Sequence, residues 1–215
     1  MGMATKLDYV VVEGPIGVGK TSLVRRLAKT LGSETFLEQP QENPFLERFY
    51  QSPTQFALPT QLFFLFQRAK QIEQLKQGDM FRPGCVADFM LEKDSLFAQT
   101  TLDKDELHLY EQVYDHVRLD LPQPDLVIYL QAPVDILMER IRRRGIAYEQ
   151  YAQRDYLESL SDAYMQFFHR YNEAPLLMVN TAELNFVDDD RDFRLLIEHI
   201  ETMGPGRHYF NPVQA

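Results

Sequence analysis

Residues Gly14-Pro15-Ile16-Gly17-Val18-Gly19-Lys20-Thr21 follow the spacing G-x-x-x-x-G-K-[ST], with Ser22 next in the chain. Glycines allow a backbone to fold its N–H groups around a phosphate, and a helix N-terminus there favours negative charge. In such a loop Lys20 reaches the β- and γ-phosphates, and the Thr21 hydroxyl helps to hold Mg²⁺. A glycine-rich turn that binds nothing would show the same letters, so the surroundings decide. Tyr9-Val10-Val11-Val12 before the loop is a β-branched, aromatic run suited to a buried strand. After it Leu23, Val24, Leu27, Ala28 and Leu31 recur at helical spacing. A phosphate loop between a strand and a helix predicts binding of a nucleoside triphosphate.

Two acids end later apolar runs: Glu38 closes Glu34–Glu38, and Asp88 stands near the end of Cys85–Phe89. Taken singly, Glu38 reads as well as a solvated turn residue before Pro40, and Asp88 as a helix cap. In open α/β sheets, however, ligands gather at the carboxyl ends of strands, which predicts that Gly14–Thr21, Glu38 and Asp88 share one crevice.

A helix from about Thr54 to Gln77 places Leu58, Phe64, Leu65, Ile72 and Leu75 on one face at ~100° per residue. Gln67, Lys70, Gln74 and Gln77 fall on the opposite, wet side. Gln61 and Arg68 sit in the middle of the apolar face, where an unpartnered polar group costs several kcal/mol. Two readings stay open: core ties to neighbouring protein groups, or pocket residues with Gln61 offering donor and acceptor to a nucleobase edge. A further helix between Pro133 and Gly145 ends in Arg140, Arg142, Arg143 and Arg144. These cations complement a helix C-terminus, but in an acidic chain with a phosphate loop the favoured reading is a lid over transferring phosphoryl oxygens.

The elements that must position these groups alternate. Strand-like runs at Tyr9–Val12, Glu34–Glu38, Cys85–Phe89, Leu126–Leu130 and Leu176–Val179 are separated by helical patterns. Buried strands joined by helices imply an α/β fold of P-loop type, three layers with a five-stranded parallel sheet flanked by helices. The 215 residues, 45% hydrophobic and 25% charged, suffice for a full core. Residues 1–203 are expected to form one domain with the arginine-rich lid around 140–149, and 204–215 an extension carrying Tyr209 and Phe210. A formal charge of −10 and a pI near 5.0 argue against nucleic acid or anionic membrane as partners. Cys85 is the single cysteine, which rules out an internal disulfide and suits a reducing cytoplasm. No secretory signal or apolar run of about 18 residues predicts a membrane span.

Together these residues resemble the deoxynucleoside kinase family, and within it the bacterial deoxyguanosine and deoxyadenosine kinase branch, from Tyr9 to about Ile200. The resemblance rests on Glu13–Thr21, Asn43-Pro44-Phe45-Leu46 with Phe49-Tyr50, Val86-Ala87-Asp88-Phe89 with Phe97-Ala98, and Arg140-Ile141 with Arg144-Gly145 and Glu149. It implies transfer of the ATP γ-phosphoryl group to the 5′-hydroxyl of a deoxynucleoside, a purine by preference. It implies Glu38 as general base, Tyr50 and Glu149 on the sugar 3′-hydroxyl, Gln61 on the base and Arg68 orienting the pocket's polar network. It also implies Asp88 near Mg²⁺, Arg140 and Arg144 on phosphates with Arg144 also against adenine, and a homodimer. Two positions depart from the family. Asp88-Phe89-Met90 stands where many members have an acid followed by Arg-Ser, so another cation must balance Glu38, and Lys93 is the candidate. Ile146 stands where the family's lid usually has an arginine, so either Arg142 or Arg143 covers the charge or the reaction is slower. The competing readings are a nucleoside monophosphate kinase of thymidylate-kinase type, which would need further cations beside the acceptor, and a non-catalytic nucleotide-binding subunit.

Overall fold

Strand β1 (Tyr9–Glu13) runs through the middle of a six-stranded parallel sheet in the computed structural model, which describes residues 7–76, 84–117, 123–186 and 189–211. Beside it lie β3 (Cys85–Ala87) and β4 (Leu126–Gln131), with Val10 level with both Val86 and Leu126. Outside these come β2 (Glu34–Phe36) on one flank and β5 (Leu176–Asn180) then β6 (Arg207–Phe210) on the other, giving the order β2-β3-β1-β4-β5-β6.

Alternation along β1 divides the core. Val10 and Val12 face helices α1 (Lys20–Leu31), α6 (Val134–Arg144) and α8 (Asp190–Thr202) through Leu23, Leu137 and Leu196. Val11 faces α7 (Arg154–Arg170) through Leu160, Tyr164 and Phe168. Period-two side chains on a sheet covered on both faces produce the expected three layers.

Two strands end sooner than the sequence suggests. β2 stops at Phe36 and β3 at Ala87, so Glu38 and Asp88 stand beyond the ladder, at the carboxyl edge of the sheet. Helix α3 (Pro53–Lys76) spans the predicted helix, with Phe64, Leu65 and Ile72 buried and Lys70 exposed. Gln67, expected on the wet side, is half-buried because its Nε2 donates to the Gln39 carbonyl oxygen and to Glu42. Gln77 and the side chains of Gln74 and Leu75 lie outside the described residues. The other α-helices among the described residues are α2 (Leu46–Gln51), α4 (Glu92–Thr101) and α5 (Lys104–Val117). Among the described residues no helix is long and apolar enough to cross a membrane.

The sheet has six strands where five were expected. The sixth, β6, escapes a hydrophobic scan because Arg207, His208 and Tyr209 are polar or exposed and only Phe210 is buried. It pairs with β5 from Leu176–Arg207 to Val179–Phe210, and α8 supplies the crossover that a parallel neighbour requires. Arg207 also donates from Nη2 to the carbonyl oxygens of His169 (2.8 Å) and Tyr171 (3.1 Å) at the end of α7. Replacing Phe210 with alanine is expected to cost about 3 kcal/mol of stability in urea titration, as for other buried phenylalanines. An unchanged midpoint would make the strand a dispensable edge.

Candidate active site

The loop after β1 passes so close to its neighbours that two positions require glycine. At Gly14, with φ 146°, a Cβ would stand 2.3 Å from the Leu130 carbonyl oxygen; at Gly17, with φ 83°, it would stand 2.9 Å from that of Leu137. Gly19, also at positive φ, leads into α1, whose first turn holds no acid and no side-chain cap, so its N–H groups point into the loop. Lys20 bends back over the loop and donates to the carbonyl oxygens of Gly14 (2.7 Å) and Pro15 (3.2 Å). Burial, and then the nearby Lys93 ammonium, lower its pKa to about 8, against the opposing pull of Glu13, Glu38 and Asp88.

The two acids are joined to the loop and to each other. The Thr21 hydroxyl donates to Asp88 Oδ2 at 2.7 Å, while Asp88 Oδ1 accepts the Glu38 backbone N–H at 2.7 Å. Burial alone would raise the pKa of Glu38. The Arg68 guanidinium and the Lys93 ammonium overcome it and hold the carboxyl at about 2. Arg68 Nε donates to Glu38 Oε1 at 2.8 Å, its Nη2 touches the same oxygen, and Lys93 Nζ donates to Oε2 at 3.2 Å. Arg68 also pairs through Nη1 with the buried Asp94. The residue after Asp88, Phe89, points into the apolar cluster with Leu65 and Tyr110, so the cations beside Glu38 come from α3 and α4.

A fully buried carboxylate that sequence reasoning passed over, Glu13, joins the same group. It accepts from the Gly14 N–H, the Met90 N–H and the Tyr164 hydroxyl, each at 3.0 Å, and lies 4.0 Å from Lys93. An acid closing a buried strand was the clue that marked Glu38 and Asp88, and it applies equally to Glu13.

A cleft of about 400 Å³, within the range of small-molecule sites, opens beside the loop and the Glu38 cluster. It gathers Lys20, Thr21, Ser22, Glu38, Tyr50, Gln61, Arg68, Asp88, Arg140, Arg144 and Glu149. Gln61 and Arg68 are therefore pocket residues, and Arg68 is at once a tie between Glu38 and Asp94. Tyr50 stacks on Tyr148 with centroids 5.9 Å apart, and Arg144 pairs with Glu149. Arg140 reaches the cleft, yet its guanidinium donates to Thr181 Oγ1 at 2.9 Å and to the Thr181 carbonyl oxygen at 2.6 Å, joining α6 to the end of β5.

Residues 10–203 match the deoxynucleoside kinase family. The chain belongs to that family. It is 32% identical to the deoxyguanosine kinase of Bacillus subtilis over 204 residues, covering 91% of this chain and 97% of that protein. It is 29% identical to the deoxyadenosine kinase of Lactobacillus acidophilus, covering 91% and 95%. The solved deoxyadenosine kinase of M. mycoides, holding dCMP and a flexible dCDP, superposes with a TM-score of 0.79 at 25% identity, over 91% of this chain and all of the other. As a deoxynucleoside kinase the chain is an ATP-dependent phosphotransferase, and the loop, the acids and the α3 wall form one cleft in which donor and acceptor could meet.

The depressed Glu38 pKa has a consequence for stability. Its pairing contributes fully above the ordinary carboxyl value of 4.5 and is lost as pH falls toward 2, because the unfolded chain takes up the proton first. Urea titrations between pH 4.5 and 2 are expected to show a steeper loss for the native chain than for Glu38→Gln, by up to about 1.4 kcal/mol per pH unit. Parallel slopes would mean that Glu38 titrates normally.

Proposed function

We propose that this kinase transfers the γ-phosphoryl group of ATP to the 5′-hydroxyl of a purine deoxynucleoside, in nucleotide salvage, with Glu38 as general base. The observation that carries the reading is Glu38 itself: a carboxylate held ionised by Arg68 and Lys93 in the same cleft as Lys20 of the phosphate loop. Phosphoryl transfer passes through a loose transition state, so the acceptor loses its proton late. A base for that step must chiefly be ionised, oriented and within reach of the hydroxyl.

The remaining roles follow from position and chemistry. The backbone of Gly14–Ser22 and Lys20 cradle the phosphates, with Arg144 and Arg140 closing over them from the lid. Thr21 and Asp88 offer a hydroxyl and a carboxylate 2.7 Å apart, hard oxygen donors of the kind Mg²⁺ takes together with nucleotide phosphates. When bound, that ion would neutralise charge on the triphosphate. Tyr50 and Glu149 serve the sugar 3′-hydroxyl, Gln61 meets the base, and Arg68 orients the pocket's polar network. The purine preference is supported by similarity to kinases named for deoxyguanosine and deoxyadenosine. A homodimer and a cytoplasmic location complete the reading. The monophosphate-kinase alternative is disfavoured because Arg68, the cation on the acceptor wall, is already paired with two carboxylates.

Turnover of ATP–Mg²⁺ with each of the four deoxynucleosides and with thymidine monophosphate tests the assignment directly. A purine deoxynucleoside is expected to give the highest kcat/KM, and phosphorylation of the monophosphate alone would overturn the acceptor. Glu38→Gln is expected to lower kcat by ~10²-fold or more with KM for ATP little changed; near-native turnover would remove Glu38 from the role of base. Gln61→Ala is expected to raise KM for the nucleoside far more than KM for ATP.

A further inference from the structure

Gln61 is buried in the wall of the cleft, and its Nε2 donates to Thr101 Oγ1, at the end of α4, over 3.3 Å. A threonine hydroxyl has one proton, and that of Thr101 is committed: Oγ1 lies 2.7 Å from the Phe97 carbonyl oxygen, which can only accept. Toward Gln61 the hydroxyl can therefore only accept. Turning the carboxamide over would set oxygen against oxygen in a buried site, so the amide has one orientation. Its Oε1 is left buried with no hydrogen-bond partner among the described residues.

We infer that Thr101 is a positioning residue for base selection, its hydroxyl fixing which hydrogen-bonding edge the Gln61 amide presents. The inference rests on the reading that Gln61 meets the base. A carboxamide so held offers one acceptor, Oε1, beside one remaining Nε2 proton. Adenine and cytosine present an exocyclic amine beside a ring nitrogen acceptor. Guanine and thymine present an exocyclic oxygen beside a ring N–H. The two edges carry donor and acceptor in opposite order. A fixed amide satisfies one order in a given seating, whereas a free amide turns over and satisfies both. The Thr101 hydroxyl thus separates amino-edge from oxo-edge nucleosides, because the wrong edge leaves buried groups on both sides unpaired.

The test is kcat/KM for deoxyadenosine and for deoxyguanosine in the native chain, Thr101→Val, Thr101→Ser and Gln61→Ala. Valine keeps the shape and removes the hydroxyl. In Thr101→Val the ratio between the two nucleosides is expected to move toward one by at least ~10-fold, mostly through KM for the nucleosides, with KM for ATP unmoved. Thr101→Ser, which restores the hydroxyl, is expected to recover the native ratio. If Thr101→Val keeps the native ratio while Gln61→Ala raises nucleoside KM, the orientation role is overturned and Gln61 remains the base reader. An equal loss for both nucleosides that serine does not restore would likewise overturn it, leaving Thr101 a packing residue. If Gln61→Ala leaves nucleoside KM unchanged, the Gln61 reading falls and this inference with it.

Discussion

Glu38 stays ionised in the cleft because two cations from other elements meet it there. A buried carboxylate alone would take up a proton and lose its charge. Arg68 from α3 and Lys93 from α4 prevent this, and each is itself buried and needs a counter-charge: Asp94 for Arg68, Glu13 and Glu38 for Lys93. Removing one member of such a group strands the others, a larger loss than any single pair contributes. The cluster therefore fixes the separation of β1, β2, α3 and α4, and with it the width of the cleft.

The loop and the cluster meet at Asp88. One of its oxygens takes the Thr21 hydroxyl and the other the Glu38 backbone N–H, so the loop and the Glu38 cluster are linked through one residue. The second link is Glu13, which accepts from the first glycine of the loop, from Met90 after β3 and from Tyr164 of α7. Elsewhere in the cleft, Arg144 and Glu149, the residues proposed for phosphate and for sugar, form an ion pair. With side-chain exposures of 44% and 8% that pair is partly solvated, and it can exchange partners more readily than the Glu38 cluster.

Much of this was legible in the order of the residues. The phosphate loop, the strand and helix that flank it and the long helix α3 follow from spacing, and family membership agrees with the resemblance carried by short segments spread along the chain. The edge strand β6 was not legible, because four residues with one buried side chain carry no apolar run; its pairing with β5 and the Arg207 contacts to α7 define it. Gln61 and Arg68 were visible as polar residues on an apolar face, which left core tie and pocket wall equally open. For Arg68 both hold, since it lines the cleft and bridges Glu38 and Asp94.

The sequence by itself determined what depends on neighbours along the chain: a glycine loop closing on a helix, alternating strands, and acids placed at strand ends. Only the tertiary structure decided which charges meet. Glu38 and Arg68 are far apart in sequence yet 2.8 Å apart in the fold, and Gln61 meets Thr101 across a comparable span. Periodicity reports which face of an element is buried, but the partner of a buried charge is set by the crossing of elements, which no local pattern encodes.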